Sequence, residues 1–298
     1  MIKSDLFIEL SQSLKNKIYF AEDKPEESLE TTMKALWFIA SGHPKSVSAA
    51  IELPLPDLTN EQLVLLKHLI EKRLQNIPLA YITGRQRFMG IDFICDNRAL
   101  IPRKETEILG RKALELSFIL SEGKQSINVF DICCGGGNLG LSIALLNSKS
   151  IVYSTDISHE AIELTNENIL MLNVKQKVKA WQGDLFSAVD DEKFIENTDL
   201  IICNPPYISS GKVKNMNPEI LGKEPAIAFD GGMFGTKIIQ RLIVEAHKFL
   251  KKNGWLIFEV GAGQGEFIVQ MCKRTTLYSD IETSPDENGI IRVISVKK

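Results

Sequence analysis

Apolar residues recur four apart at the start of the chain, where Leu6, Leu10 and Leu14 share one face of a helix. Pro25 suits the first turn of a second helix, where its missing N–H costs nothing. Leu29, Met33, Leu36, Trp37 and Ala40 form that helix's buried stripe, and Gly42-His43-Pro44 closes it. Leu53-Pro54-Leu55-Pro56 reads as a turn. Thr59 and Gln62 fit a capping box, and Leu63, Leu66, Ile70 and Leu74 follow as an apolar face. Residues 1–77 therefore predict a small helical domain. It carries no chemical cluster, so its expected task is substrate recognition.

The pattern changes over residues 78–101. Tyr81, Ile82, Phe88, Ile91, Phe93 and Ile94, interrupted by Gly84 and Gly90, predict a β-hairpin joining two domains. In residues 102–298, strand patterns alternate with helical ones. The strands are Ile127–Ile132, Ile151–Asp156, Val178–Trp181, Leu200–Cys203, Leu256–Val260 and Ile290–Val296; the helices include Ala161–Leu172 and Ile238–Leu250. Such alternation predicts an α/β domain with a doubly wound, mainly parallel sheet covered on both faces.

A length of 298 residues accommodates two domains at about 150 residues each. Apolar residues at 44% and charged residues at 24% exclude a disordered or collagen-like chain. The 35 Lys and Arg against 38 Asp and Glu leave a net charge of −3, so no global charge directs the chain to nucleic acid or an anionic membrane. The five cysteines are odd in number and lack zinc spacing, so no metal is expected. No apolar run reaches the length of a membrane span or signal peptide. The expectation is a cytoplasmic monomer with reduced thiols.

The first strand of the α/β region runs into Asp131-Ile132-Cys133-Cys134-Gly135-Gly136-Gly137-Asn138-Leu139-Gly140, and a helical pattern follows. A glycine-rich strand-to-helix turn lets a ligand approach the backbone. Asp156 ends the next strand, 156 − 135 = 21 residues after Gly135, where an acid can hold a ribose diol. The spacing fits a nucleoside-type cofactor, and a dinucleotide remains possible on these residues alone. Asp184, in Gln182-Gly183-Asp184-Leu185, follows the third strand, where a polar residue meets adenine in S-adenosylmethionine enzymes; a helix cap is its plainer reading.

The fourth strand runs directly into Asn204-Pro205-Pro206-Tyr207. Two prolines fix φ and remove two backbone donors, which leaves a rigid segment rich in acceptors. The Asn204 side-chain oxygen and nearby carbonyls can accept both N–H bonds of a planar NH2 group, and Tyr207 offers it a flat face. An amide or aromatic amine nitrogen is a poor nucleophile because its lone pair is delocalised. Two such bonds localise the lone pair and stabilise the positive charge that grows as an N–C bond forms. Aimed at a sulfonium methyl, the nitrogen can displace it in line. The methylated nitrogen is then acidic enough to lose its proton without a dedicated base.

Together these features resemble the class I S-adenosylmethionine-dependent methyltransferases, and more narrowly the HemK/PrmC-type enzymes that methylate a glutamine in release factors. The resemblance rests on Pro78-Leu79-Ala80-Tyr81-Ile82-Thr83-Gly84, Ile101-Pro102-Arg103-Lys104-Glu105-Thr106-Glu107, Asn204-Pro205-Pro206-Tyr207-Ile208, Glu224-Pro225, Asp230-Gly231-Gly232, Glu259-Val260-Gly261 with Gln264-Gly265, and Asp286-x-x-Gly289-x-x-Arg292-Val293. It implies a seven-stranded sheet and S-adenosyl-L-methionine as cofactor. By the same resemblance, Asp131, Cys133, Cys134, Gly135, Gly136 and Gly137 line the cofactor with Asn204, and Asp156 and Ile157 hold its ribose side. Asp184 and Leu185 border the adenine. Asn204, Pro205, Pro206 and Tyr207 grip and activate the substrate glutamine, with Arg103 beside them. The implied partner is a class I peptide chain release factor, through its Gly-Gly-Gln loop.

Three positions depart from that family. Cys133 stands where a glycine is usual and must avoid positive φ or accept strain. Lys104 replaces a common proline, and Leu185 a frequent aromatic residue. Arg103 is equally suited to a salt bridge with Glu105 or Glu107, Glu259 to capping a loop, and Lys212-Val213-Lys214 to a solvated loop. An adenine N6-methyltransferase could use the same Asn-Pro-Pro-Tyr motif on a flipped base, but the acidic balance supplies no basic recognition face. A paralogue acting on a small molecule is the other alternative.

Overall fold

The computed structural model describes residues 3–18, 20, 24–213, 220 and 222–298. Lys214, used above, lies outside them. The described residues divide into two compact units, one within Met1–Lys104 and Met216–Glu224, the other within Glu105–Asn215 and Pro225–Lys298.

The first unit contains α1 (Lys3–Leu14), α2 (Leu29–Ala40), α3 (Val47–Ile51), α4 (Asn60–Leu74), α5 (Leu79–Thr83), β1 (Arg85–Phe88) and β2 (Ile91–Ile94). Met33, Leu36, Trp37, Leu66, Ile70 and Leu79 pack in its core. The Thr59/Gln62 capping box is present, with Gln62 N–H on Thr59 Oγ1 at 3.3 Å and Thr59 N–H on Gln62 Oε1 at 2.9 Å. Pro25 does not open α2. Ser28 does, because Ser28 and Thr31 exchange side-chain bonds to each other's N–H and make the stronger start signal.

The hairpin is also shorter than 78–101. Tyr81 and Ile82 lie on α5, which ends at Gly84 with φ +66°. Only β1 and β2 pair, Phe88 against Ile91, around Met89-Gly90. Both turn residues have positive φ, which suits the twist of a two-residue hairpin loop.

The second unit contains α6 (Glu107–Ser121), β3 (Ile127–Ile132), α7 (Asn138–Leu146), β4 (Ser150–Asp156), α8 (His159–Met171), β5 (Val178–Gln182), β6 (Thr198–Cys203), α9 (Ser210–Val213), α10 (Lys237–Phe249), β7 (Leu250–Glu259), α11 (Gly265–Thr275), β8 (Asp280–Pro285) and β9 (Ile291–Lys297). The seven strands lie in the order β5-β4-β3-β6-β7-β9-β8. β5, β4, β3, β6 and β7 are parallel neighbours, and β9 is antiparallel to both β7 and β8. The all-buried pattern of β6 is that of a central strand covered on both faces. β8 escaped the sequence reading because its residues are half-buried or exposed and it ends at Pro285. α10 stops at Phe249, and Leu250 instead opens β7 opposite Thr198. At the strand end away from the glycine loop, buried Asp199 holds Lys124 at 2.7 Å, Lys251 at 2.9 Å and the Asn128 N–H at 2.9 Å.

Candidate active site

β3 pairs with both β4 and β6, while the chain passes from β3 to β4, so the strand order reverses between β3 and β6. Ligands of open α/β sheets bind at such a switch point, beyond the strands' carboxyl ends. Ile132 is in register with Cys203. The glycine loop and Asn204-Pro205-Pro206-Tyr207 therefore leave the sheet side by side.

The loop is left-handed at Gly135 (φ +54°) and Gly137 (φ +84°). A Cβ on Gly137 would fall 2.9 Å from the Leu141 side chain, and one on Gly140 would fall 2.7 Å from Asp131 Oδ2. Cys133 is left-handed as well, at φ +57°, so it accepts the strain foreseen for a side chain there. Cys134 is buried and its Sγ lies 3.8 Å from Thr165 Oγ1. Gly136 is pinned by Asn168 Nδ2, which donates to its carbonyl at 3.0 Å.

Asp156 Oδ2 accepts the Gly135 N–H and Oδ1 the Ser158 N–H, each at 2.9 Å. Burial pushes its carboxyl upward while these N–H bonds pull it back. Each oxygen keeps a second lone pair, so the carboxylate can still receive a vicinal diol. Ile157 beside it is 49% exposed, an apolar platform at the crevice rim. Asp131 is fully buried, and burial raises its carboxyl to about 7. Its Oδ2 accepts the Gly140 N–H at 2.9 Å in the first turn of α7, while Oδ1 has no partner. Asp184 caps no helix through its side chain; both its oxygens take Arg241 Nη1 at 3.0 Å. Leu185 is buried at φ +49°, and its carbonyl accepts Thr155 Oγ1 at 2.7 Å. The left-handed glycine cradle, the spare acceptors of Asp156 and the exposed Ile157 fit a nucleoside cofactor.

Asn204 is half-buried, and its Nδ2 donates to Thr106 Oγ1 at 3.2 Å. That leaves Oδ1 as an acceptor. The Tyr207 carbonyl is already taken by Gln264 Nε2 at 3.0 Å, and the Tyr207 hydroxyl donates to Glu259 Oε1 at 2.8 Å. The motif's backbone is braced from behind. Ile208 N–H reaches the Phe229 carbonyl, and Gly231 N–H reaches the Ile208 carbonyl, each at 2.9 Å. A Cβ on Gly231 would fall 2.6 Å from the Pro206 carbonyl, and one on Gly235 2.2 Å from the Tyr207 carbonyl. Gly261 N–H holds Gln264 Oε1 at 2.9 Å. Residues 230–232, 235, 261 and 264 thus rigidify Asn204–Tyr207.

Arg103 lies in the first unit and pairs there with Glu224, whose Oε2 also accepts the Ile101 N–H at 3.0 Å. Glu105 pairs with Arg292, and Glu107 with Arg111 at 2.9 Å. The sequence reading missed Thr106 and Gln264 as supports of the motif, and it left Glu259 as a loop cap. Their only signal was membership in matched segments, since the partners are 98, 57 and 52 residues away along the chain.

No helix among the described residues is long and apolar enough to cross a membrane, and none of their His, Cys, Asp and Glu side chains group into a metal site. The Methyltransferase small domain family model matches residues 114–225. The fold and the site together define a Rossmann-like methyltransferase, an enzyme whose cofactor is S-adenosyl-L-methionine. The chain is 33% identical over 237 residues to a release factor glutamine methyltransferase of Geobacter sulfurreducens, covering 80% of this chain and 79% of that one. It is 32% identical over 215 residues to the ribosomal protein uL3 glutamine methyltransferase of Francisella tularensis, covering 72% and 66%. Among solved structures, the hMettl16 catalytic domain in complex with a MAT2A 3′UTR hairpin superposes with a TM-score of 0.53 at 14% identity, over 76% of this chain and 81% of that one, which shows the shared fold. The chain belongs to the release factor glutamine methyltransferase family.

Proposed function

We propose that this enzyme transfers the methyl group of S-adenosyl-L-methionine to the side-chain amide nitrogen of a glutamine in the Gly-Gly-Gln loop of a class I release factor. The observation that carries the reading is the state of Asn204: its Nδ2 is spent on Thr106, so Oδ1 remains to accept from the substrate amide. With the Tyr207 carbonyl engaged by Gln264, a nearby carbonyl of the segment that the prolines stiffen would be the second acceptor. A glutamine NH2 held by two such acceptors carries a more localised lone pair, and rigid positioning can supply up to ~7–11 kcal/mol of the barrier. The residues from Cys133 to Gly137, with Asp131, would hold the cofactor's methionine part. Asp156 and Ile157 would hold its ribose, and Asp184 and Leu185 its adenine. The cofactor supplies the electrophilic methyl. Arg103, tied to Glu224, would act on the substrate side, and the helical residues 1–77 would recognise the release factor. We infer that the enzyme works as a single chain in the cytoplasm, where release factors act.

The uL3-modifying relative makes a ribosomal protein glutamine the second reading. The test is incubation with labelled cofactor and, separately, a release factor, the same factor with its loop glutamine replaced by alanine, and ribosomal protein uL3. Label on the intact release factor alone supports the proposal. Label on uL3 alone favours the second reading, and label persisting on the altered factor overturns the site assignment.

A further inference from the structure

Thr106 occupies the N-cap of α6, yet its hydroxyl does not cap that helix. It is 2% exposed, and it receives the Asn204 amide instead. Behind it stands Glu259, also 2% exposed, at the end of β7. Glu259 Oε1 accepts the Tyr207 hydroxyl at 2.8 Å, while Oε2 is buried with no direct hydrogen bond. Burial raises the Glu259 carboxyl. The Thr106 hydroxyl, the Tyr207 hydroxyl and the Arg292 guanidinium favour its charged form, and Glu105 opposes it. Thr106 thus holds the Asn204 end of the segment, and the buried Glu259 holds the Tyr207 end.

A hydroxyl has one proton and two lone pairs. Thr106 Oγ1 turns a lone pair toward Asn204 and accepts its Nδ2 at 3.2 Å. The amide is thereby locked with Oδ1 toward the acceptor site. With the amide reversed, its NH2 would face the NH2 of the substrate, donor against donor.

We propose that Thr106 and Glu259 are positioning residues that fix the orientation of the Asn204 amide and the Tyr207 ring for methyl transfer. The inference rests on the amide-methylating reading and deepens it. It assigns Thr106 a task other than helix capping, and Glu259 a task other than closing a loop.

The test compares Thr106→Val, Thr106→Ser, Glu259→Gln and the double variant Thr106→Val/Glu259→Gln. Methyl transfer to the release factor gives kcat and KM; calorimetry gives S-adenosylhomocysteine affinity. Thr106→Val should lower kcat at least tenfold with cofactor affinity within twofold of wild type, and Thr106→Ser should recover to within about threefold. Glu259→Gln should also lower kcat, because a glutamine can turn its NH2 rather than an oxygen toward the Tyr207 hydroxyl and so release the ring. The losses of the two single variants should multiply in the double variant, since Thr106 and Glu259 act through separate hydrogen bonds. Thr106→Val with wild-type kcat, losses that do not multiply, or equal loss in Thr106→Val and Thr106→Ser would overturn the proposal while leaving the methylation reading intact. If Thr106→Val fails to fold, Glu259→Gln decides: kcat falls with unchanged affinity, or the proposal is wrong. A wild-type enzyme that methylates no protein glutamine would overturn both.

Discussion

Asp156 Oδ2 accepts the N–H of Gly135 at 2.9 Å, so the carboxylate assigned to the cofactor's ribose also clamps the loop assigned to its methionine part. The end of β4 and the turn after β3 are thereby one structural element. Replacing Asp156 by Ala removes the diol acceptor and the clamp together. Cofactor affinity should fall about tenfold or more, a loss of ~1.4 kcal/mol or greater, and the protein should melt at a lower temperature. Calorimetry with S-adenosylhomocysteine checks this, and unchanged affinity would count against the ribose assignment.

Cys133 adopts φ +57°, where an L side chain costs roughly 1–2 kcal/mol. Cys133→Gly relieves that strain but adds freedom to the unfolded chain, worth about 0.5–1 kcal/mol. The two effects nearly offset, so its stability should stay within about 1 kcal/mol of wild type. Cys133→Val forces a β-branched side chain into the same conformation and should be clearly less stable than either. Urea titrations of the three proteins give the comparison; equal stabilities of the Gly and Val variants would contradict it.

Asp131 gives a pH signature. Its folded value of about 7 stands above the ordinary aspartate value of 3.8, with burial as the main cause. The folded state therefore holds the proton more tightly than the unfolded state. The group costs nothing below about pH 4, costs progressively more through the window up to about 7, and costs its full amount above that. Asp131→Asn lacks this titration. The stability of wild type relative to Asp131→Asn should fall between pH 4.5 and pH 8, with a slope of at most roughly 1.4 kcal/mol per pH unit. Denaturant melts across that range test it, and a difference independent of pH would show that Asp131 is not proton-coupled to folding.

The strand patterns that placed this chemistry were legible because they are apolar runs. Ile127–Ile132 was read with its observed bounds, and β4, β5 and β6 differ from the reading by a residue or two at an end. β8 was not legible, because an edge strand facing solvent needs no apolar signature. In the site, Asn204–Tyr207 and the glycine loop announced themselves by local spacing. Thr106 and Glu259 did not, because their use depends on sheet order: β7 lies beside β6, so Glu259 comes level with the motif only once the strands pair. The Arg103–Glu224 pair was hidden by separation along the chain, its partners standing 121 positions apart.

Asn204→Ala separates the two halves of the site. Its side-chain oxygen serves the acceptor amide in the transition state, so kcat should drop about a hundredfold or more, the scale of losing one preorganised hydrogen bond. S-adenosylmethionine affinity should change little by comparison. Steady-state kinetics paired with calorimetry make the distinction, and parallel losses in both would assign Asn204 to the cofactor instead.

The central claim is that the tip of β6 presents an amide nitrogen to the cofactor's methyl. A crystal structure with S-adenosylhomocysteine and a glutamine-containing loop peptide tests it most directly. The account predicts the glutamine NH2 hydrogen-bonded to Asn204 Oδ1, its nitrogen about one methyl length from the sulfur, consistent with reacting atoms ~3–3.5 Å apart in the reactive complex. A sulfur lying away from the β3–β6 crevice, or a glutamine bound without contact to Asn204, would contradict it.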